Sequence, residues 1–316
     1  GELLDQADKS VTLMGRVINV RLFGKAAFFH LLDRTGKIQA YISKKEIPED
    51  EFTIFKKFMD NGDIVGITGT LFKTKTGETT VMVSQFRLLA KSTRPLPEKW
   101  GGLKDVEIRY RQRYADLIMN EEVMKTFQVR SKIMSAMRSW LNEQDFLEVE
   151  TPMMQAMYGG ASARPFVTHH NTLDMDLYMR IAPELYLKRL VVGGMHRVYE
   201  INRNFRNEGI SVQHNPEFTM LELYAAGWNS GNMMDFVEQI IGETFKLALN
   251  TTVVQIGDQE VDLGKRPWPR LSILDALKKY CDVEVHWDMD LSEVKSAAGG
   301  LHIPDEINTG LDAIIH

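Results

Sequence analysis

The chain has 316 residues, a formal net charge of −5, and hydrophobic and charged shares of 44% and 26%. That length supports a sizeable core and two domains, and the composition is that of an ordinary globular protein. The charge argues against a surface that binds nucleic acid everywhere, and no apolar run reaches the ~20 residues of a membrane span. The charge is uneven: residues 1–100 hold 16 Lys+Arg against 12 Asp+Glu, and residues 101–316 hold 22 against 31. A mildly basic first domain on an acidic body is compatible with a polyanion touching one region only. The opening "GELLDQADKS" has neither a basic-then-apolar signal nor an initiating Met and reads as an engineered or processed piece. The single Cys281 rules out an internal disulfide and suits a reducing, cytoplasmic location. It is expected to pack as a small buried hydrophobe.

In chain order, residues 10–90 contain five apolar runs rich in Val, Ile, Phe and Tyr, separated by the turn sequences "DRTG", "NGD" and "KTGE". A helical pattern, "EDEFTIFKKFMD", falls after the third run. Five strands with that helix predict an oligonucleotide-binding barrel, a generic small β-barrel being the alternative. "KSTRPLPEKWGGLKD" reads as a linker. The expected division is 1–91 barrel, 92–108 linker and 109–316 second domain. The segment from "RYRQRY" to "NEQDF" is expected to open a long amphipathic helix, with Val123, Phe127, Val129, Ile133, Met137 and Leu141 near one stripe.

Short strands follow at "FLEVETPMM", "PFVTHH" and "LYMRI", then a helix at "PELYLKRLVVGG" with Pro183 in its first turn and Gly193 at its end. "RVYEINRNF" leads into "NFRNEGISVQHNPEFTMLELY", read as a long antiparallel hairpin. Period-two alternation would place Arg206 and Glu208 on one strand face, and Phe218, Met220, Glu222 and Tyr224 on another, with a loop from Gly209 to Pro216. A half-buried surface hairpin with an Arg–Glu pair is the bland alternative. Further helices are expected at "NMMDFVEQIIGETFKLAL" and at "SILDALKKY", capped by Ser272, with strands "TVVQI" and "QEVDL" between them. The end, "LSEVKSAAGGLHIPDEINTGLDAIIH", shows a Gly-containing helical pattern.

No P-loop, dinucleotide fingerprint or Ser-His-Asp arrangement is present. His169 and His170 with Asp174 and Asp176 lack zinc-site spacing, and no metal site is assigned there. "RIAPELYLKRL", "NFRNEG" and "HNPEFT" at this spacing resemble the catalytic core of class II lysyl-tRNA synthetases, and the preceding strands resemble the anticodon barrel of that family. The resemblance runs from about residue 10 to 280. It implies an α+β fold, with an N-terminal OB-fold barrel followed by a partial class II synthetase domain of antiparallel sheet and flanking helices. It also implies ATP-dependent activation of lysine and its transfer to tRNA(Lys), in a homodimer whose interface includes the helix ending at "EVETP".

The same resemblance supplies residue roles. Arg206 would bridge the lysine carboxylate and the ATP α-phosphate as the catalytic cation. Glu208 would accept from the adenine amino group, Phe218 would stack on the ring, and His214 and Asn215 would reach the phosphates. Gly160 and Glu184 would hold the lysine α-ammonium, with Arg206 on the carboxylate. Glu222 and Tyr224 would recognise the ε-ammonium. In the barrel, Arg21, Phe28, Gln39 and Glu78 would read the anticodon, although Phe28 as plain barrel core is a competing reading. The family's third motif and its acidic magnesium ligands have no counterpart after Tyr280. Magnesium is therefore expected only with further sequence, and the 316-residue chain alone is expected to be catalytically deficient. A non-catalytic RNA- or protein-binding module and a single-stranded DNA-binding barrel are the competing classes. Ser162 departs from the family pattern without an assigned effect.

Overall fold

A computed structural model describes residues 10–97 and 103–299. The opening residues 1–9, residues 98–102 of the expected linker, and the pattern from residue 300 to His316 lie outside the described residues. Two compact units divide the chain, Gly1–Phe127 and Gln128–His316.

The first unit begins with β1 (Ser10–Phe23), β2 (Ala26–Leu32), β3 (Lys37–Ser43), α1 (Glu49–Phe58), β4 (Ile64–Lys73) and β5 (Thr79–Ala90). The strands close into a barrel in the order β1-β2-β3-β5-β4, with β3 and β5 parallel and the other neighbours antiparallel. Alternation decides which side chains fill it. Ala27, Phe29 and Leu31 of β2, and Ala40 and Ile42 of β3, point inward. Phe28 and His30, and Gln39 and Tyr41, fall on the other parity and face outward. Helix α1 contributes Phe52 and Phe55, and the Phe55 ring packs 5.3 Å from Phe29 and 5.4 Å from Phe86. A Cβ at Gly69 would lie 2.0 Å from the Met82 carbonyl oxygen, so only glycine lets β4 and β5 close at their register shift.

The expected long helix is three helices: α2 (Val106–Arg111), α3 (Arg113–Met119) and α4 (Glu121–Glu143). The backbone leaves helical geometry at Gln112 and Asn120. These breaks gather donors around the fully buried Asp116. Arg109 Nε reaches it at 2.9 Å, Arg113 Nη1 at 2.5 Å and Asn120 Nδ2 at 2.6 Å. Burial alone would raise the Asp116 pKa, but hydrogen bonds from Asn120 and Arg109 outweigh it and hold it below the ordinary value. The expected stripe is also interrupted: Val123 and Leu141 are buried, whereas Phe127 is 46% exposed.

The second unit continues with β6 (Leu147–Glu148), β7 (Met154–Gln155), β8 (Val167–His170), β9 (Met175–Met179), α5 (Glu184–Val192), β10 (Arg197–Phe205), β11 (Glu217–Ala225), α6 (Ser230–Leu249), β12 (Val253–Ile256), β13 (Gln259–Asp262), α7 (Ile273–Cys281) and α8 (Leu291–Ala297). Helices α5, α6 and α7 and the hairpin fall close to their expected places, and Ser272 caps α7 by accepting from the Asp275 N–H. The central pair is the antiparallel β10–β11, with β6 added in parallel to β10. Its odd-numbered face carries Tyr199, Ile201, Leu221 and Leu223. It packs against Trp140 and Leu141 of α4 and Phe236 and Ile240 of α6. Apolar burial of this kind stabilises by about 25 cal/mol per Å². It commits the even-numbered residues to the opposite face, where the polar side chains collect.

Cys281 is exposed, contrary to the buried reading. Asp282 takes a left-handed conformation (φ 56°) that ends α7 there, and Val283 and Val285 cover the apolar stripe of Leu274 and Leu277 instead. Among the described residues no helix is long and apolar enough to cross a membrane.

Candidate active site and nucleic-acid interface

Cross-strand register sets the polar face of the hairpin. Val198 pairs with Tyr224, Glu200 with Glu222, Asn202 with Met220 and Asn204 with Phe218. The strand ends at Phe205, which corrects the expectation that Arg206 and Glu208 share a strand face. One further rung forms, from Arg206 N–H to the Pro216 carbonyl at 2.8 Å. The next N–H, of Asn207, donates to the Arg164 carbonyl at 2.8 Å. That diversion turns the chain, and Glu208 lies in an exposed bend.

Arg206 is placed over Phe218, its guanidinium carbon 5.2 Å from the ring centroid. Its Nε is buried and has no hydrogen-bond partner among the described atoms. A buried donor left unpaired costs about 1–3 kcal/mol, so this nitrogen is a place where an acceptor would be welcome. His214 and Asn215 lie in the exposed loop between the strands. His214 Nδ1 lies 2.8 Å from Ser211 Oγ, and Asn215 Nδ2 donates to the Glu217 carbonyl at 2.6 Å.

At the other end of the face, Tyr224 donates to Glu222 Oε2 at 3.1 Å. Burial pushes the Glu222 pKa above its ordinary value of 4.5; the Tyr224 hydroxyl opposes the shift and the charge of Glu184 adds to it. Burial, then the charges of Glu222 and Glu184, push the Tyr224 hydroxyl up as well. Glu184 opens α5 directly after Pro183 and pairs with Lys188 at 2.5 Å. Lys188 Nζ also stands 5.9 Å from the centre of the Tyr224 ring. Gly160, at φ +87°, approaches so closely that a Cβ there would lie 2.8 Å from Glu184 Cβ. The chain thus brings Gly160 and Glu184 together, and Glu184 into electrostatic reach of Glu222 and Tyr224.

The same face carries a buried network that the sequence reading missed. Arg180 and Glu200, each 1% exposed, are paired at 2.7 Å. Thr151 Oγ1 donates to Glu200 Oε2 at 2.6 Å, and Arg180 Nε donates to the Arg203 carbonyl at 2.8 Å. Glu200 sits two positions from Asn202 on the even-numbered face, so the same alternation that marked Glu222 could have exposed it. His169 lies 2.9 Å from Asp176 and 3.4 Å from Asp174 in the exposed β8–β9 hairpin. Ser162 lies in the bend that follows Gly160.

On the barrel, Arg21, Phe28, Gln39 and Glu78 line one surface hollow of about 400 Å³, together with Asn19, Phe23 and His30. Phe28 is half-buried on the outer surface, its ring 4.9 Å from Tyr41, and does not belong to the barrel core. Gln39 Nε2 donates to Glu78 Oε2 at 2.8 Å. An aromatic beside cationic and amide groups has the chemistry of an unpaired-base site.

Residues 105–306 match the family described as "tRNA synthetases class II (D, K and N)", and residues 11–89 match "OB-fold nucleic acid binding domain". The chain belongs to the class II tRNA synthetases. It is similar to proteins named lysine–tRNA ligase. That of Pelotomaculum thermopropionicum is 51% identical over 309 residues, covering 98% of this chain and 60% of the relative. That of Carboxydothermus hydrogenoformans is 51% identical over 318 residues, covering 99% and 65%. That of Mannheimia succiniciproducens is 50% identical, covering 100% and 63%. The chain thus spans roughly three-fifths to two-thirds of the length of these relatives. The α+β architecture, an OB-fold barrel followed by a synthetase domain, is that of the class II family.

Proposed function

We propose that this chain carries the nucleotide-, amino-acid- and anticodon-recognising regions of a lysine–tRNA ligase that activates lysine with ATP and transfers it to tRNA(Lys). The observation that carries the reading is the polar face of β10–β11. An unpartnered Arg206 donor lies at one end, and a carboxyl raised by burial, Glu222, lies at the other. A zwitterion with a distal ammonium complements both ends, its carboxylate toward Arg206 and its ε-ammonium toward Glu222 and Tyr224. Gly160 and Glu184 take the α-ammonium.

In the first step a lysine carboxylate oxygen attacks the α-phosphorus of ATP, the bond to the bridging oxygen breaks, and pyrophosphate leaves. Two anions must meet, so a fixed cation and positioning matter more than a nucleophilic side chain. Arg206 spans carboxylate and α-phosphate through its planar fork. Phe218 supplies a stacking face for adenine, Glu208 accepts from the adenine amino group, and His214 and Asn215 contact phosphate. Among the described residues no group of three or more His, Cys, Asp or Glu side chains is arranged to hold a metal ion.

The barrel hollow of Arg21, Phe28, Gln39 and Glu78 takes the anticodon. We place the functional division of the chain at 92–108, between an anticodon-reading domain over residues 1–91 and a synthetase domain over residues 109–316; the family matches at 11–89 and 105–306 support it. Exposed Met124 and Phe127 on α4, the helix that the resemblance assigns to the homodimer interface, offer apolar contact there. Taken alone, the 316 residues are expected to turn over poorly, because the resemblance assigns the ATP-tail cation to a motif they do not contain.

Lysine-dependent pyrophosphate exchange and lysine binding, measured on the chain and on Arg206→Ala, test the proposal. Lysine binding that needs Arg206, with exchange well below that of the lysine–tRNA ligases it resembles, supports it. Lysine binding indifferent to Arg206 contradicts the site, and exchange at their rate contradicts the deficiency. Loss of lysine and ATP binding with tRNA binding retained would favour a non-catalytic RNA-binding module.

A further inference from the structure

The first turn of α5 holds one carboxylate whose two oxygens have different surroundings. Glu184 Oε1 accepts from Lys188 Nζ at 2.5 Å, one turn further along the helix. Glu184 Oε2 lies at Gly160, 3.5 Å from where a Cβ would stand on that glycine. Gly159 presses on the same turn, since a Cβ there would come within 2.7 Å of Leu185 Cδ1. Bare backbone therefore stands against Oε2, and among the described residues nothing donates a hydrogen bond to that oxygen. Lys188 Nζ, 5.9 Å from the centre of the Tyr224 ring, is also within reach of a cation–π contact.

A Glu–Lys pair four residues apart is common on helices, and on an open surface it contributes little. This pair differs in what it faces. The Glu184 charge reaches Glu222 and Tyr224 and adds to the upward shift of both, so its carboxylate belongs to the polar face of the hairpin. Contact with Gly160 settles where the Glu184 Cβ lies but leaves the outer torsions of the side chain free. The Lys188 bond restrains those torsions and keeps Oε2 turned toward Gly160. Two effects of Lys188 then oppose each other. Its positive charge repels an incoming ammonium, but the side chain is 55% exposed and water screens that charge. Its hold on Oε1 is geometric, and it orders the carboxylate before a ligand arrives, which lowers the entropy lost on binding. The second effect wins.

We infer that Lys188 is a positioning residue that fixes Glu184 with Oε2 toward Gly160, so that the site selects ligands carrying an α-ammonium. This rests on the reading of Gly160 and Glu184 as the α-ammonium site, and deepens it by naming what orients the acid.

Lysine and 6-aminohexanoate, titrated calorimetrically into the full chain, test it. Both ligands have the carboxylate and the distal ammonium, and lysine alone has the α-ammonium. The parent chain is expected to favour lysine by about tenfold or more, the worth of a charge-assisted hydrogen bond. Lys188→Met keeps the aliphatic stem and should cut that ratio by about fivefold, through weaker lysine binding with 6-aminohexanoate unchanged. Lys188→Arg, which can still donate to Oε1, should restore most of the ratio. A general disturbance of the fold would weaken both ligands together and leave the ratio as it was. Loss of a competing charge would instead strengthen lysine and raise the ratio. A ratio unchanged or raised in Lys188→Met overturns the inference alone. If the parent chain shows no preference for lysine, or binds neither ligand, the α-ammonium reading fails and the inference falls with it.

Discussion

The hollow on the barrel and the polar face of the β10–β11 hairpin handle their polar groups in opposite ways. In the barrel, Gln39, Glu78, Thr80 and His30 already bond one another, and the free groups are left in a fixed orientation. On the hairpin, Arg206 Nε has no partner among the described atoms, and burial holds the Glu222 pKa up. A saturated network selects among ligands by shape and pattern, whereas an unsatisfied one gains most when a ligand brings the missing charges. The buried Arg180–Glu200 pair on the same face braces β10, because Arg180 also donates to the Arg203 carbonyl.

The largest expected effect breaks the support of the hairpin. Glu200→Ala leaves Arg180 buried without its acid and should cost about 3–5 kcal/mol of stability, read by chemical denaturation. In the barrel, Phe29→Ala should cost a similar ~3–5 kcal/mol, because Phe29 fills the core against Phe55. Arg206→Ala sharpens the contrast, since it removes the cation held over Phe218 and leaves the buried Arg180–Glu200 pair in place. Pyrophosphate exchange should fall by about a hundredfold or more with little change in stability. A smaller effect separates Phe28 from its neighbour. Phe28→Ala should lose about 1–3 kcal/mol of tRNA affinity, measured by filter binding, while unfolding as the parent chain does.

The smallest effect has a sign that distinguishes tension from support. The folded-state pKa of Glu222 lies above 4.5, so the folded chain holds this proton more tightly than the unfolded one. Stability then falls as pH rises from 4.5 through the raised value. Glu222→Gln should therefore raise the melting temperature of the ligand-free chain at neutral pH, and the gain should vanish once the pH falls below 4.5.

Much of this was legible in the sequence, for reasons that differ between residues. Barrel strands follow from apolar runs and turn chemistry, whereas Gln39 came from the resemblance. Gly160 and Glu184, and Glu222 and Tyr224, came from the resemblance, and the fold brings each pair together. What apolar periodicity could not show was where polar groups gather. The break of one helix into α2, α3 and α4 goes with burying Asp116 among the neighbouring Arg109, Arg113 and Asn120. The end of β10 at Phe205 follows from a bond between Asn207 and the earlier Arg164. Arg180 and Thr151 join Glu200 from separate segments, which no single-segment periodicity records. Cys281 was expected to be buried from its residue type alone, but the left-handed Asp282 ends α7 beside it and Val283 and Val285 take the apolar contact.

The central claim is that the hairpin face seats a free lysine whose ammonium answers the half-buried Glu222. Isothermal titration of lysine into the chain and into Glu222→Gln, repeated from about pH 8 to about pH 5, measures it directly. We predict at least about thirtyfold weaker binding in the variant, and, in the parent chain alone, affinity that falls with pH as one proton becomes linked to binding. Equal lysine affinity in the two proteins, with the same pH profile, would contradict it.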